Sequence, residues 1–348
     1  MSNNESNVQN PTLNTPVKKI QLEKFYALAA LIGALVLLII FFSIFGRGFN
    51  SLATVLNIFA SSYFIGFLAI GVTFVIITGG IDLSIGTVMM SSALIGGLLY
   101  SDGNGLPLLL CLIIMVVIGA VFGLFNGLMV TKLDLPPFIA TLGTMMVAAG
   151  FGSIVTNVQA QRFPSPIGDS WFIRTFFRID NLPIGAIWLF AFFIIALIVL
   201  NKTKLGRYTY AIGSNEEAVR LSGIKASNWK CIAYVISGLC AGLGAIFHAA
   251  AFTTITPGTG QGVELQAIAA VVIGGTSLKG GTGSLTGTLI GVFFMSVLRI
   301  GLTQMGFAAA IQVFFTGLVV IGAVLLDIQR TKRANQVKKV KPTVQKQK

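Results

Sequence analysis

Runs of about 20 apolar residues recur along this chain, and a run of that length largely decides its own structure. Hydrocarbon offers no water to satisfy backbone N–H and C=O groups, so each run must form a helix that satisfies them internally. Ten such segments are predicted, at residues 25–45, 54–78, 84–101, 106–130, 136–157, 183–200, 229–251, 263–279, 284–304 and 308–327. Only 10% of residues are charged, against about 25% in an ordinary soluble domain, which leaves little material for a separate soluble unit. The expected fold class is all-α: a polytopic membrane helix bundle with about ten transmembrane helices, some interrupted by glycine. Residues 25–328 are the expected membrane domain. Residues 1–24 are expected to be a disordered N-terminus and residues 329–348 a basic tail. The first run, Phe25–Phe45, is too long for a cleavable signal, and no small-residue cleavage pattern follows it.

A net charge of +13 would suggest nucleic-acid binding in a soluble protein. Here the cations collect in a few loops and the tail, which is how membrane proteins fix orientation, so no nucleic-acid partner is expected. With a cytoplasmic N-terminus, nineteen Lys and Arg fall inside: Lys18, Lys19, Lys24, Lys132, Lys202, Lys204, Arg207, Arg220, Lys225, Lys230, Lys279 and eight between Arg330 and Lys348. Only Arg47, Arg162, Arg174 and Arg178 fall outside. The bias predicts a multi-pass protein of the bacterial cytoplasmic (inner) membrane with both termini cytoplasmic. Cys111, Cys231 and Cys240 lie in apolar spans and read as packing residues, and His248 has no second histidine to share a metal. No metal site and no cofactor are expected.

One sizeable polar island interrupts the apolar chain, Leu205 to Ile224, within the loop 201–228. Ser214 and Glu217 have the spacing of a capping box, Glu216 and Glu217 suit the first turn of a helix, and Gly223 suits its left-handed end. A short helix is therefore predicted from Ser214 to Gly223, with Ala218, Val219, Arg220 and Leu221 on its surface. Local physics leaves two readings open: a connector that caps itself, or a docking helix for a soluble partner.

Two glycine-rich breaks end apolar runs, Gly79-Gly80-Ile81-Asp82-Leu83-Ser84-Ile85-Gly86 and Gly274-Gly275-Thr276-Ser277-Leu278-Lys279-Gly280-Gly281. Broken helices at membrane depth are tolerated where they are buried in protein or line a cavity, and paired breaks are a feature of transporters with internal repeats. Three ionisable groups lie at membrane depth. Asp82 is expected to cap the helix that follows it, and Glu264 to face the interface at the end of its span. Arg299 has no partner nearby in sequence; Asp82 and Glu264 are its candidate counter-charges. Asp82, Asn126, Thr141 and Gln266 are the polar groups available to line a path. Gly119, Gly123 and Gly127, and likewise Gly283, Gly287 and Gly291, recur every four residues and predict close helix packing. No Gly-x-x-x-x-Gly-Lys-Ser/Thr phosphate loop and no nucleophile–base pair is present, so a pump built on this chain would draw its energy from another chain.

At this point four stretches carry a resemblance. They are Thr78-Gly-Gly-Ile-Asp-Leu-Ser-Ile-Gly86, Phe138-Ile-Ala-Thr-Leu-Gly143, the island Leu205–Ile224, and Ala269-Ala-Val-Val-Ile-Gly-Gly-Thr-Ser-Leu-Lys-Gly-Gly281. Together they resemble the membrane permease of bacterial ATP-binding-cassette importers for monosaccharides of the ribose, xylose, arabinose and galactose type, from about Asn50 to Asp327. The resemblance implies a transport subunit rather than an enzyme, paired with a second permease copy or paralogue. It also implies an ABC ATPase subunit docked beneath the pair and an extracytoplasmic sugar-binding protein above it. The family's coupling element, written Glu-Ala-Ala followed by Gly, then falls on Glu217-Ala218 and Gly223, with Val219 departing from it. Arg207, Ser214, Glu216, Glu217, Ala218, Arg220, Leu221 and Gly223 become the coupling residues. Same-class importers of nucleosides, branched-chain amino acids or a sugar-like signal are the alternatives, and an ion-driven carrier or facilitator is the alternative of another class.

Overall fold

The computed structural model describes residues 15–101, 105–164 and 171–339. The elements are α1 (Thr15–Phe45), α2 (Leu52–Ile77), α3 (Ile85–Tyr100), α4 (Leu108–Lys132), α5 (Pro137–Val155), β1 (Gln161–Arg162), α6 (Trp171–Phe176), α7 (Ile184–Lys202), α8 (Lys204–Ser214), α9 (Glu216–Leu221), α10 (Ala226–Phe252), β2 (Thr254–Ile255), α11 (Val263–Ile273), α12 (Leu285–Gln304) and α13 (Ala309–Lys339). Among the described residues, eight helices are long and apolar enough to cross a membrane, and α3 and α11 are shorter apolar helices. These correspond to the ten predicted segments, and the fold is a polytopic helical bundle. The polar ends 1–14 and 340–348 lie outside the described residues. Residues 15–24, expected to be disordered, are helical. Their Gln, Leu, Glu and Lys are good helix formers that extend the first span without a break.

The centre of the bundle is α2, in which every residue from Ala60 to Ile77 is buried in protein. Around it the glycine rows act as the pattern predicts. A methyl placed on Gly123 would meet the Gly238 Cα at 3.0 Å, and one on Gly127 would meet the Cys231 Sγ at 2.7 Å, so α4 and α10 touch nearly backbone to backbone. Gly287 and Gly291 likewise lie against the carbonyls of Gly274 and Ala270, joining α12 to α11. At the periphery, α1 and α13 bury little of their apolar surface, as helices facing lipid do. Gln161 pairs with Ile255 and Arg162 with Thr254, a two-stranded antiparallel ribbon that ties together the two long loops at one end of the bundle.

The shorter helices correct one expectation. The segment 263–279 is not one span, because α11 stops at Ile273, where Gly275 turns into the left-handed region at φ +90°. Helix α3 is 16 residues long, about 24 Å at 1.5 Å per residue and short of the roughly 30 Å hydrocarbon core. It leads toward the β-ribbon, where Gly97 lies against Gln161 and Phe163, whereas α11 leads to the opposite end of the bundle. Their N-termini meet inside: a methyl on Gly86 of α3 would meet the Glu264 backbone N at 3.0 Å. The non-helical stretch before each half-helix is 78–84 for α3 and 256–262 for α11. The loop before α11 bears Gly258 and Gly262, both at positive φ. The recurring glycine motifs 79–86 and 274–281 share one orientation in the span count, and they sit at the same end of the bundle, in contact with each other.

Candidate functional site

The polar island folds as two helices. Eleven residues, Lys204–Ser214, form amphipathic α8, and six, Glu216–Leu221, form α9. The cap predicted at Ser214 is at Asn215, whose extended backbone breaks the chain and whose Oδ1 accepts from the Ala218 N–H at 2.9 Å. Ser214 ends α8 because residues 204–214 have an apolar stripe of their own, carrying Ile212 into a small core with Val219 and Ala226. The predicted left-handed end holds. Gly223 stands at φ +83°, with its N–H donating to Arg220 O and that of Ile224 to Val219 O, a Schellman arrangement. Val219 turns inward and is buried, which corrects its place on the docking surface. Ala218, Arg220 and Leu221 face out, Leu221 at 84% exposure. Glu216 is tied to Lys230 of α10 at 2.9 Å, fixing α9 to the bundle, while Glu217 and Arg207 are exposed. Between α9, the end of α4 and the start of α10 opens a cavity of about 510 Å³, bordered by Arg220, Gly223 and Lys225.

The membrane interior holds a hydrogen-bonded cluster at the first break. Asp82 Oδ1 accepts from the Ser84 N–H at 3.0 Å and the Ser84 hydroxyl at 2.7 Å, and its Oδ2 accepts from the Ser237 hydroxyl of α10 at 2.7 Å. Asn126 of α4 donates to Ser84 Oγ at 2.8 Å. Asp82 does not cap α3 as expected, since the helix begins at Ile85 and Ser84 holds the cap position. Its side chain instead bonds two residues along the chain, in an Asx turn. Thr141 of α5 lies beside the same break, its hydroxyl 3.4 Å from Ile81 O. The fourth predicted path residue, Gln266, is half-buried on α11 and takes no part in these bonds. The structure thus joins Asp82 and Asn126, sets Thr141 next to them, and leaves Gln266 apart.

Glu264 is buried rather than interfacial, and its Oε1 accepts from the Gly262 N–H at 2.9 Å at the start of α11. Both buried carboxylates therefore sit by the N-terminus of a half-helix, where the helix dipole favours negative charge. That placement favours two acids at membrane depth that, among the described residues, have no cation within ion-pair distance. Among the described residues Arg299 pairs with neither; its guanidinium lies 6.0 Å from the Phe64 ring centroid. The second break has an acid of its own, Asp327 of α13, which accepts from the Leu278 N–H at 3.2 Å and the Ser277 hydroxyl at 3.3 Å. Sequence reasoning missed Asp327, Ser84, Ser237 and Tyr210. Asp327 had a signal, a lone acid at the end of an apolar run; the two serines had none beyond being small polar residues. Tyr210 of α8 donates to Gly283 O at 3.0 Å, and burial pushes its phenol above the usual value, so it stays protonated and able to donate.

The family model described as "Branched-chain amino acid transport system / permease component" matches residues 54–324, most of the chain. The chain belongs to this permease family. Among its relatives is the ribose import permease protein RbsC of Bacillus subtilis (strain 168), 39% identical over 299 residues, which are 85% of this chain and 91% of that one. RbsC of Escherichia coli (strain K12) is 35% identical over 303 residues, covering 84% and 91%. The autoinducer 2 import system permease protein LsrC of Enterobacter sp. (strain 638) is 33% identical over 316 residues, covering 90% and 88%. No solved structure matches the chain. The matched span of the permease runs from the first turn of α2 into α13, so it includes both half-helices, both glycine breaks and α9.

Proposed function

We propose that this permease is the membrane subunit of an ATP-binding-cassette importer that moves a monosaccharide, working as a pair and driven by an ATPase on a partner chain. The observation that carries the reading is α9. It is short, capped at both ends, tied to α10 by Glu216–Lys230, and presents Leu221 and Arg220 outward at the end of the bundle that also holds Lys132, Lys204, Lys225 and Lys279. That cationic end is the cytoplasmic one, with both termini on the same side. The opposite end, with the β-ribbon and α6, receives a sugar-loaded binding protein. The sugar class comes from the relatives, which are named for import of ribose and of autoinducer 2. The family description supports a second reading, import of a branched-chain amino acid.

The test is uptake into vesicles holding the permease with its ATPase and binding protein. Radiolabelled ribose and leucine are offered separately. Pentose uptake that requires ATP is expected. Leucine uptake alone would transfer the assignment to the second reading. Leu221→Asp is expected to weaken ATPase docking about tenfold or more, the loss of ~1.4 kcal/mol typical of a truncated contact anchor. Unchanged docking would remove α9 from the coupling role.

A further inference from the structure

Three chain segments that are remote in sequence meet beneath α9, and they meet through backbone. The end of α2 contributes Ile77 and Gly79. The turn between α11 and α12 contributes Gly280, Gly281 and Gly283. The last turn of α8 contributes Gly213. The Gly281 N–H donates to Ile77 O at 2.9 Å. A methyl on Gly213 would run into that same Ile77 carbonyl and into the Gly281 N, so α8 is seated directly on the hydrogen bond. A methyl on Gly280 would lie 2.7 Å from Gly79 N, and one on Gly281 2.8 Å from Ser214 Oγ. Gly79, Gly280 and Gly281 all stand at positive φ, between +74° and +82°, so substitution there is strained whatever the space. The Tyr210 hydroxyl bonds Gly283 O at 3.0 Å and closes the third side.

We propose that this three-way backbone joint carries displacement of α9 into the two half-helices, with Gly213 and Tyr210 as its positioning residues. The proposal rests on the reading of α9 as the ATPase docking helix. One residue, Asn215, separates α9 from α8, so a shift of α9 pulls directly on the last turn of α8, which holds Gly213. Side-chain contacts absorb a push by changing rotamer. Backbone against backbone offers no such soft torsion, and packed interfaces respond by repacking rather than by gradual deformation. From the joint, five residues lead from Ile77 to Asp82 at the start of α3. In the other direction the turn leads back through Gly274 into α11, whose far end carries Glu264. One displacement therefore reaches both half-helices where their N-termini meet. Gly213 is glycine because a methyl would hold α8 off the joint. Tyr210 holds the α11–α12 turn in register with α8.

The experiment uses the assembled importer in vesicles with radiolabelled ribose as the probe, and measures ATPase co-purification, ATP hydrolysis and uptake for Gly213→Ala and Tyr210→Phe. Both variants are expected to retain the ATPase. Uptake per ATP hydrolysed is expected to fall about fivefold for Gly213→Ala, the low end of coupling between linked sites. For Tyr210→Phe it is expected to fall about twofold. Normal docking with an unchanged uptake-to-hydrolysis ratio in both variants overturns the proposal. So does a loss of docking, which would show that the joint shapes the docking surface and does not transmit from it. If the Gly213→Ala permease itself fails to fold, Tyr210→Phe, which lacks only the hydroxyl, decides by the same ratio. Failure of the docking reading itself shows separately, as unchanged docking in Leu221→Asp.

Discussion

Asp82 shows at the residue scale how a charge-bearing side chain is kept at membrane depth. It is 1% exposed, and among the described residues no cation lies within ion-pair distance, yet both oxygens are used: two bonds from Ser84 and one from Ser237. An intramembrane acid is costly unless its bonds are complete. Asp82→Ala would leave the Ser84 N–H and two hydroxyls without their acceptor, at about 1–3 kcal/mol for each buried donor left unpaired. Asp82→Asn keeps one acceptor oxygen for Ser84, and its amide can donate to Ser237 Oγ. The expected order of thermal stability in detergent is wild type, then Asn, then Ala, with Ala well separated. Equal melting temperatures for Asn and Ala would show that the hydrogen bonds do not hold the break. The sequence placed Asp82 in this break and offered a cap as its role. The actual partner, Ser237, lies 155 positions away, and no local rule points to it. The same holds for Asn126, whose membership in the cluster depends on how α4 packs against α3.

Elements were legible to the extent that their cause is local. Apolar runs and glycine rows are local, so the spans and the close approach of α4 to α10 could be anticipated. Half-helices are less so, because a run of apolar residues looks alike whether the chain crosses the membrane or starts midway. Only the glycines beside α3 and α11 mark the difference. The β-ribbon joins Gln161 to Ile255, a contact between two loops that share no sequence signal. The division of the polar island into α8 and α9 depends on Ile212 finding Val219 and Ala226, a tertiary event that moved the cap from Ser214 to Asn215. The glycine rows yield a paired prediction. Gly123→Ala drives a methyl against Gly238 and the Tyr234 carbonyl and is expected to destabilise by about 1–3 kcal/mol, as overpacking does. Gly33→Ala on α1 has nothing within 4 Å and gains helix propensity, so it is expected to be neutral or stabilising by up to about 1 kcal/mol. Thermal unfolding of the two variants in the same detergent separates packing from propensity, and equal effects would refute the row as a contact surface.

Across the whole molecule the two ends differ in charge and in shape, and the difference assigns a direction to the membrane. One end holds α9 and its cavity together with Lys132, Arg207, Arg220, Lys225, Lys230 and Lys279; the other holds the β-ribbon, α6 and only Arg47, Arg162, Arg174 and Arg178. Cations are retained on the cytoplasmic side during insertion, so the proposed orientation has α9 inside and the ribbon outside. Thiol labelling tests this because the native cysteines give little background: Cys111 and Cys240 are buried and Cys231 is half-buried on α10. With Cys231→Ser in place, Gln159→Cys beside the ribbon is expected to react with a membrane-impermeant maleimide in intact protoplasts. Leu221→Cys is expected to react only after the membrane is opened, and then fully, given its 84% exposure. The reverse pattern would invert the molecule and place α9 where no cytoplasmic ATPase could reach it. The docking reading and the joint beneath it both depend on that one orientation, so this labelling is the measurement on which the transport mechanism stands.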